Sequence, residues 1–200
     1  MSLGPKFIVI DDFLPADLLG DIERHVRADP GALALKDFGG DGQYSALRKL
    51  WVHRDGLGSA KAPFEQAIKA HFAELCAGTG IAPFDLSTVE TEVVVQQSGS
   101  FFSKHIDTDT HEATPGAPSD RIISSVYYFP REPLAFSGGE LVLYDFAGQE
   151  PTATVAPCRN RLVAFPSFAA HEVTPVATAE TDLGAARWSV NCWLHRSRQQ

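Results

Sequence analysis

Cysteine is scarce in this sequence, and neither a long hydrophobic run nor a leader segment is visible. Cys76, Cys158 and Cys192 are odd in number, lie far apart and lack the spacing of a metal site. We expect buried or reduced thiols, which indicates a reducing compartment. No apolar run reaches the roughly 18 residues of a membrane span, and residues 1–4 lack the basic and apolar regions of a signal peptide. The expectation is a cytoplasmic protein without a membrane segment.

Basic residues are also in the minority. Lysine and arginine total 17 against 25 aspartates and glutamates, so the formal net charge is −8 at pH 7. This balance argues against electrostatic binding to a nucleic-acid backbone, and we expect no nucleic-acid partner. A local basic patch would still allow a nucleic-acid substrate, but we interpret its candidates, Arg48, Lys49 and Arg54, as ordinary solvated residues.

Hydrophobic periodicity predicts two helices in the first part of the chain. The segment from Pro15 to about Ala28 carries leucine, isoleucine and valine along one helical face, and Pro15 suits a first turn. Residues 62–77 repeat the pattern and close at Gly78. Hydrophobic residues make up 44% of the sequence, which allows a substantial core, and 200 residues suit one domain.

Short strands dominate from residue 88 onward. We predict a mainly β (α+β) fold, a double-stranded β-helix or jelly roll with the two helices bracing one sheet from outside. Residues 1–200 are expected to form a single domain, with a mostly helical lead-in over 1–87 and the jelly-roll core over 88–195. Thr108–Asp120 lacks periodicity and is a candidate lid or a plain surface loop. The predicted strands are Glu90–Gln97, Phe101–Asp107, Ile122–Phe129, Glu140–Asp145, Thr152–Val155, Arg161–Phe165, Ala170–Pro175 and Arg187–His195.

Two histidines and an aspartate form a candidate metal site. His105 and Asp107 lie two residues apart on a predicted strand, so both are expected to project from the same face. His171 lies far downstream and would supply a third ligand. A 2-His-1-carboxylate set is the ligand set of non-haem Fe(II) oxygenases, and it leaves metal positions open for chemistry.

The motif alone is weak evidence. With 7 histidines and 25 acidic residues in 200, a His-x-acid pair is expected by chance about once. The sequence contains a second such pair, His53 and Asp55. It runs into an Asp-Gly turn signal, and we interpret it as a surface pair.

The last predicted strand carries an arginine where burial is expected on both faces. A buried arginine needs an anionic partner, because an unpaired buried charge is very costly. Either an aspartate or glutamate of the chain supplies that partner, or the partner is a carboxylate that arrives with a small molecule and is held bidentately. One face carries Arg187, Ser189, Asn191 and Trp193, and the other carries Val190, Cys192 and Leu194.

These motifs follow one another in a recognisable order. Gly99 lies six residues before His105, and Trp193 lies six residues after Arg187. The ordered set resembles the prolyl 4-hydroxylase-like branch of the 2-oxoglutarate and Fe(II)-dependent dioxygenases. The resemblance extends from the lead-in Phe7–Pro15 over nearly the whole chain. The motifs that carry it are His105-x-Asp107, Arg121–Tyr128, Gly138-Gly139-Glu140-Leu141, His171 and Arg187.

The resemblance implies a site and a reaction. His105, Asp107 and His171 would hold Fe(II), with 2-oxoglutarate as co-substrate and ascorbate as a candidate auxiliary. The co-substrate would give succinate and CO2 while an unactivated C–H bond is hydroxylated. A prolyl or other amino-acid residue is the first guess for the substrate.

The resemblance also implies a pocket for 2-oxoglutarate, with one departure. Arg187 would hold the distal carboxylate with help from Tyr128 and Ser189, and Trp193 would line the pocket. Tyr127 and Tyr128 alternate, so only one of them can point inward. Gln96 stands where the family has a tyrosine, three residues before Gly99, so a common hydrogen bond to 2-oxoglutarate is altered or lost.

Two alternatives remain open at this stage. A cupin-like metal-binding jelly roll would use another divalent metal without 2-oxoglutarate, and its Arg187 would pair internally. A catalytically silent binding module would bind both groups without turnover. The substrate would be a small molecule, peptide or protein, and the chain would be a monomer or a homodimer.

Overall fold

The computed structural model describes residues 3–36, 48–108 and 119–198. Two β-sheets face each other, and helices cover the outer face of the larger sheet. The candidate lid, apart from its end residues, lies outside the described residues, as do the side chains of Arg48 and Lys49.

Three α-helices and twelve strands make up the described ranges. The helices are α1 (Ala16–Ala28), α2 (Lys61–Ala70) and α3 (Phe72–Thr79). The strands are β1 (Ile8–Ile10), β2 (Leu33–Leu35), β3 (Arg48–Lys49), β4 (Trp51–His53), β5 (Leu86–Gln96), β6 (Phe101–His105), β7 (Ser119–Tyr128), β8 (Leu141–Tyr144), β9 (Pro151–Val155), β10 (Arg161–Pro166), β11 (His171–Val173) and β12 (Arg187–Ser197).

The sheets have the topology of a jelly roll. The larger sheet has the strand order β1-β10-β7-β12-β5-β4-β2, and the smaller has the order β3-β6-β11-β8-β9. Every pairing is antiparallel. The non-sequential order, with β12 between β5 and β7, is typical of a chain that passes between two sheets. The prediction of a mainly β, double-stranded β-helix is confirmed.

The helices pack on the outer face of the larger sheet, as predicted. Ile22 of α1 and Phe64 of α2 are fully buried there, against sheet residues that include Tyr127 and Trp188. Burying a large apolar side chain contributes about 1.5–3 kcal/mol. The helical layer is therefore a major source of the stability of this sheet.

A second, smaller core lies between the two sheets. Tyr128 and Phe165 of the larger sheet meet Leu141 and Leu143 of the smaller one. Ser189 is the cross-strand partner of Tyr128 and therefore shares its face. Both faces of β12 are thus buried, one under helices and the other between sheets, as the alternation predicted.

The predicted helix over 62–77 is wrong in its continuity and its end. It is two helices, which meet at His71, where the imidazole Nδ1 lies 2.9 Å from the carbonyl oxygen of Ala67 and competes for that acceptor. Gly78 lies inside α3, and the second helix ends at Thr79. A Cβ on Gly78 would come within 2.6 Å of the Ile8 side chain, so this glycine permits close packing against β1 rather than ending the helix.

The predicted lead-in is less helical than expected. It contributes four strands of two or three residues each, which extend both sheets. Segments this short give no periodic signal in the sequence. The interpretation of His53 as part of a surface pair is wrong as well: His53 is only 6% exposed at the end of β4, with its ring 5.4 Å from that of His25.

The eight strands predicted after residue 88 are all present, with shifted ends. β5 begins at Leu86 rather than Glu90, because β12 is long enough to pair with it as far as Arg196. β11 covers His171–Val173 rather than Ala170–Pro175. Among the described helices, none combines the length and the apolar character that a membrane crossing requires.

Candidate active site

His105 and His171 face each other across two neighbouring strands. His105 is the last residue of β6, His171 is the first of β11, and the two are register partners. Asp107 lies just beyond the end of β6, so the expected strand over Phe101–Asp107 is two residues too long. A backbone hydrogen bond of 2.9 Å from the Asp107 amide to the Ser167 carbonyl holds this bend in place.

The three side chains converge as the sequence predicted. The Nε2 atoms of His105 and His171 each lie 3.6 Å from a carboxylate oxygen of Asp107. The candidate ligand atoms all lie within 4.8 Å of one another, a spacing that could hold one metal ion. The convergence therefore rests on a strand end and a bend rather than on two positions of a single strand.

Backbone carbonyls orient both imidazoles. Nδ1 of His105 lies 2.8 Å from the carbonyl oxygen of Ser103, and Nδ1 of His171 lies 2.9 Å from that of Ala169. A carbonyl accepts, so each Nδ1 carries the proton and each Nε2 keeps its lone pair for a metal. Such outer contacts are a regular feature of metal-binding histidines.

Two buried serines support the carboxylate. The Ser124 hydroxyl donates to Oδ2 of Asp107 at 2.6 Å, and Ser167 Oγ lies 2.9 Å from Ser124 Oγ. A hydroxyl has one proton, so Ser167 donates to Ser124 while Ser124 donates to Asp107. Sequence reasoning missed both serines, although the inward-facing polar position of Ser124 on a buried strand was a usable signal.

Aromatic rings pack on both imidazoles. Phe102 is stacked on His105 with ring centroids 3.6 Å apart, and the Phe165 ring lies 4.6 Å from that of His171. These rings limit the rotation of the histidines and keep water from their faces. Strict alternation would place Phe102 and His105, three residues apart, on opposite faces of β6. The register shift between the β6 and β11 pairs allows the two rings to stack.

The protonation states match a metal site. Burial lowers the pKa of His171 to about 4, so its imidazole is neutral near pH 7. Burial tends to raise the pKa of Asp107, but the adjacent His171 and His105 and the Ser124 hydrogen bond outweigh it and hold that pKa well below its usual range. One carboxylate anion and two imidazole acceptors in a buried space are complementary to a divalent cation.

A second polar cluster surrounds Arg187, which is 2% exposed. Its Nε donates to the Gly139 carbonyl at 2.7 Å, and its Nη1 donates to Gln96 Oε1 at 2.6 Å and to Ser189 Oγ at 3.2 Å. No aspartate or glutamate within 3–36, 48–108 or 119–198 forms an ion pair with it. The internal ion pair, one of the two partners considered for this arginine, is therefore not found in those ranges.

Three buried polar atoms in this cluster have no hydrogen-bond partner among the described residues. They are Nη2 of Arg187, Nε2 of Gln96 and Oη of Tyr128. The guanidinium carbon lies 4.9 Å from the centre of the Tyr128 ring, so the three groups border one space. Each is a hydrogen-bond donor, and leaving a buried donor unpaired costs about 1–3 kcal/mol. A carboxylate supplies the acceptors that all three lack.

Gly139 is needed for the position of the guanidinium. Its φ is +73°, and a Cβ there would come within 2.6 Å of Cδ of Arg187. A larger residue would be strained and would displace the arginine side chain. Gly139, which lies just before β8, is therefore needed to position Arg187 as well as to begin the strand.

Tyr127 and Tyr128 point to opposite faces of the larger sheet, as predicted from strand alternation. Tyr128 points between the sheets toward Arg187, while Tyr127 points toward the helices and donates to Asn160 Oδ1 at 2.9 Å. Both are fully buried. Only Tyr128 can contribute to the site.

A small cavity of about 40 Å³ lies directly against the candidate metal ligands. Trp193 lines it, as expected from the sequence, and Asn191 of the same strand face lines it too. The residues predicted for the site thus form two clusters. His105, Asp107, His171 and Trp193 surround this cavity, and Gln96, Tyr128 and Ser189 surround Arg187. Ser124 and Asn191 were not among the predicted residues and also border the cavity.

Known proteins resemble this chain in sequence and in fold. Residues 91–195 match the profile of the 2OG-Fe(II) oxygenase superfamily. An uncharacterized PKHD-type hydroxylase of Synechocystis sp. is 30% identical over 142 residues, which cover 68% of this chain and 45% of that protein. The chain spans less than half the length of this relative.

Solved structures share the fold over nearly the full length. A prolyl-4-hydroxylase of Pseudomonas putida has a TM-score of 0.69 at 22% identity, covering 97% of this chain and 94% of that chain. A prolyl hydroxylase of Trichoplax adhaerens, in complex with a hypoxia inducible factor oxygen degradation domain peptide fragment, has a TM-score of 0.66 at 18% identity. That match covers 95% of this chain and 83% of that one.

Proposed function

The chain belongs to the 2OG-Fe(II) oxygenase superfamily, and we propose that it is a 2-oxoglutarate- and O2-dependent hydroxylase that releases succinate and CO2. His105, Asp107 and His171 would hold Fe(II). The observation that carries the proposal is that a convergent set of metal-ligand atoms and a buried guanidinium both lie between the two sheets. The ligand set is complementary to a cation, and the guanidinium, whose Nη2 has no partner among the described residues, is complementary to an anion.

Each residue of the site has a role that follows from its contacts. The neutral imidazole of His171 and the charged carboxylate of Asp107 are in the form that binds a divalent metal, and the Nδ1 contact of His105 leaves its Nε2 directed toward the same point. When bound, Fe(II) supplies the oxidative chemistry with O2 and 2-oxoglutarate. Ser124 fixes the orientation of the carboxylate, and the rings of Phe102 and Phe165 shield the two imidazoles from water.

The cluster around Arg187 would bind the distal carboxylate of 2-oxoglutarate. Nη2 of Arg187, Nε2 of Gln96 and Oη of Tyr128 would donate to it, and Ser189 holds the guanidinium in place through Nη1. Gln96 would thus supply an amide donor at the position where the sequence resemblance implies a tyrosine. This assignment explains the three unpaired donors, which the cupin-like alternative leaves unexplained.

The proposed substrate is a prolyl or other amino-acid residue, with ascorbate as an auxiliary in the assay. Its support is the fold shared with prolyl hydroxylases, one of which is seen with a peptide fragment. We also propose that residues 1–200 work as a single domain, because strands from the first 60 residues extend both sheets. A cytoplasmic location remains the prediction from the cysteine content.

Succinate release tests the proposal. Purified protein supplied with Fe(II), ascorbate and 2-oxoglutarate should form succinate slowly even without a substrate. His105→Ala should abolish this release, whereas His71→Ala, which changes a half-buried histidine remote from the ligand set, should retain it. Equal succinate from the wild type and His105→Ala would refute the assignment. A protein that binds metal and 2-oxoglutarate without forming succinate would instead be a silent binding module.

A further inference from the structure

Two adjoining hollows lead away from the candidate metal ligands across the surface. The first has a volume of about 380 Å³ and begins at Asp107, which also borders the small cavity beside the metal ligands. The second has a volume of about 500 Å³. Thr108, Asp120 and Arg121 line both hollows, so the two form one continuous depression. We call this depression the outer groove.

The part of the outer groove next to the metal ligands is charged but largely neutralised. Arg121 and His195 both bond the carboxylate of Glu90, at 2.7 Å and 2.9 Å. Arg121 also lies over the Trp193 ring, 4.0 Å from its centre, so this network holds the wall of the metal cavity in place. Its charges have partners within the protein and leave little net charge for a ligand.

The far part of the outer groove combines an apolar floor with a free cation. Ile81, Phe84 and Ile122 line it, together with Phe168, which is 51% exposed. Arg196 lies at the same hollow on the end of β12, is exposed, and has no ion-pair partner in the described parts of the chain. An exposed phenylalanine beside an unpaired arginine is a combination that recognises mixed apolar and acidic chemistry.

The outer groove is less acidic than the protein as a whole. Three arginines and three carboxylates, Asp107 included, line it, so their formal charges cancel, whereas the chain carries −8. Arg198 pairs with Asp120 and Arg121 pairs with Glu90, which leaves Arg196 as the lining arginine without an ion-pair partner among the described residues. An acidic group of a ligand is complementary to that arginine. The groove continues from Asp107 past Arg121 to Arg196, which favours an extended ligand over a compact one.

We propose that the outer groove binds the polypeptide on one side of the hydroxylated residue, with Arg196 pairing with an acidic side chain and Phe168 packing against an apolar one. This inference rests on the proposed function, since it assumes that the reacting residue lies at the metal ligands. It adds a sequence preference of the substrate. The target would carry an aspartate or glutamate and an apolar residue on the same side of the modified position.

Peptide binding tests the proposal independently of turnover. The protein loaded with Mn(II) and 2-oxoglutarate would be titrated with pools of fluorescent nine-residue peptides that have a central proline. In each pool one flanking position is fixed as Glu, Lys, Leu or Ser, and fluorescence anisotropy gives the Kd. At one position the Glu pool should bind about fivefold more tightly than the Lys pool, the size expected for an exposed ion pair. At another position the Leu pool should bind more tightly than the Ser pool.

Charge reversal sharpens the test. Arg196→Glu should invert the order of the Glu and Lys pools, a gain for the Lys pool that misfolding could not produce. Phe168→Ser should remove the preference for Leu alone. Arg54→Glu and Leu35→Ser, exposed residues that do not line the outer groove, are the matched controls and should change neither preference.

The outcomes separate this inference from the proposed function. Equal binding of the Glu and Lys pools, no binding of any pool, or an order that Arg196→Glu leaves unchanged would overturn the inference. Displacement of the pools by a single-stranded oligonucleotide that itself supports turnover would overturn it in favour of a nucleic acid. If the wild type shows the peptide preferences but forms no succinate, the proposed function fails and the peptide site stands.

Discussion

Where β7 and β12 pair, the two faces of the larger sheet treat buried polar groups in opposite ways. On the helix-covered face, the Tyr127 hydroxyl has its acceptor in Asn160, and the indole of Trp188 donates to the Leu183 carbonyl at 2.8 Å. On the face between the sheets, the hydroxyl of Tyr128 and one nitrogen of Arg187 have no partner among the described residues. Neighbouring residues of the same two strands therefore differ completely in how their polar atoms are satisfied.

This difference distinguishes the residues that stabilise the fold from the residues that we propose bind an anion. A face that completes its own hydrogen bonds contributes stability without a ligand. A face that leaves donors and a charge unpaired is less stable alone and gains stability when an anion arrives. Substitutions on the two faces should accordingly change different measured quantities.

Removing the charge of the candidate metal site should have the largest effect. Asp107→Asn keeps the shape of the side chain but removes the anion that balances the cation. We expect metal binding, measured by calorimetry with Mn(II), and succinate release both to fall below detection. Because the lowered pKa of Asp107 means that its ionised form stabilises the folded state, the metal-free variant should also be less stable in thermal unfolding near pH 7.

Asp85→Asn, which changes an exposed carboxylate outside the site, is the matched control. It should bind Mn(II) like the wild type. Metal affinity that survives in Asp107→Asn would place the cation elsewhere and remove the reason for assigning His105 and His171 to it.

Weakening the anion-binding cluster should have the next largest effect. Arg187→Lys keeps the charge but loses the planar fork that bonds Gln96, Ser189 and a carboxylate at once. A hydrogen bond to a charged group is worth about 1.5–3 kcal/mol, so the KM for 2-oxoglutarate should rise about 10- to 100-fold. Mn(II) affinity without 2-oxoglutarate should not change.

Arg159→Lys provides the comparison on the helix-covered side, where the guanidinium pairs with both carboxylate oxygens of Glu23. It should leave the KM for 2-oxoglutarate unaltered. Equal KM values for the wild type and Arg187→Lys would mean that the guanidinium does not contact the co-substrate, and would favour the cupin-like alternative.

The jelly roll could be predicted from the sequence because strand alternation and turn residues are visible in it. The same patterns led to the proposed site residues. Alternation on β12 placed Arg187 and Ser189 on one face, and the order of His105, Asp107 and His171 selected the ligands. His105 and Asp107 do lie close together as predicted, but not for the reason given. The prediction assumed one strand, whereas a bend held by the Ser167 carbonyl turns the carboxylate toward the imidazoles.

The errors arose where tertiary contacts decide local structure. Gly78 was predicted to end a helix. It is instead a position where any side chain would clash with Ile8, which lies on a strand distant in sequence. His53 looked exposed beside a turn, but β4 joins the larger sheet and places it against His25. The supporting serines were missed because a polar residue on a buried strand, such as Ser124, shows only that some partner is needed. That the partner is Asp107 becomes clear only from the fold.

Removing the phenolic oxygen from Tyr127 or from Tyr128 tests the comparison between the two faces of the sheet. Tyr127→Phe removes a satisfied hydrogen bond and should lower the free energy of unfolding by about 1 kcal/mol without changing the KM for 2-oxoglutarate. Tyr128→Phe removes an unpaired hydroxyl, so stability without ligand should be unchanged or slightly higher. The KM for 2-oxoglutarate should rise about tenfold, the lower end of the range for one hydrogen bond to a charged group. Urea unfolding and succinate kinetics on both variants measure the two quantities, and a stability loss in Tyr128→Phe equal to that in Tyr127→Phe would contradict the division between the two faces.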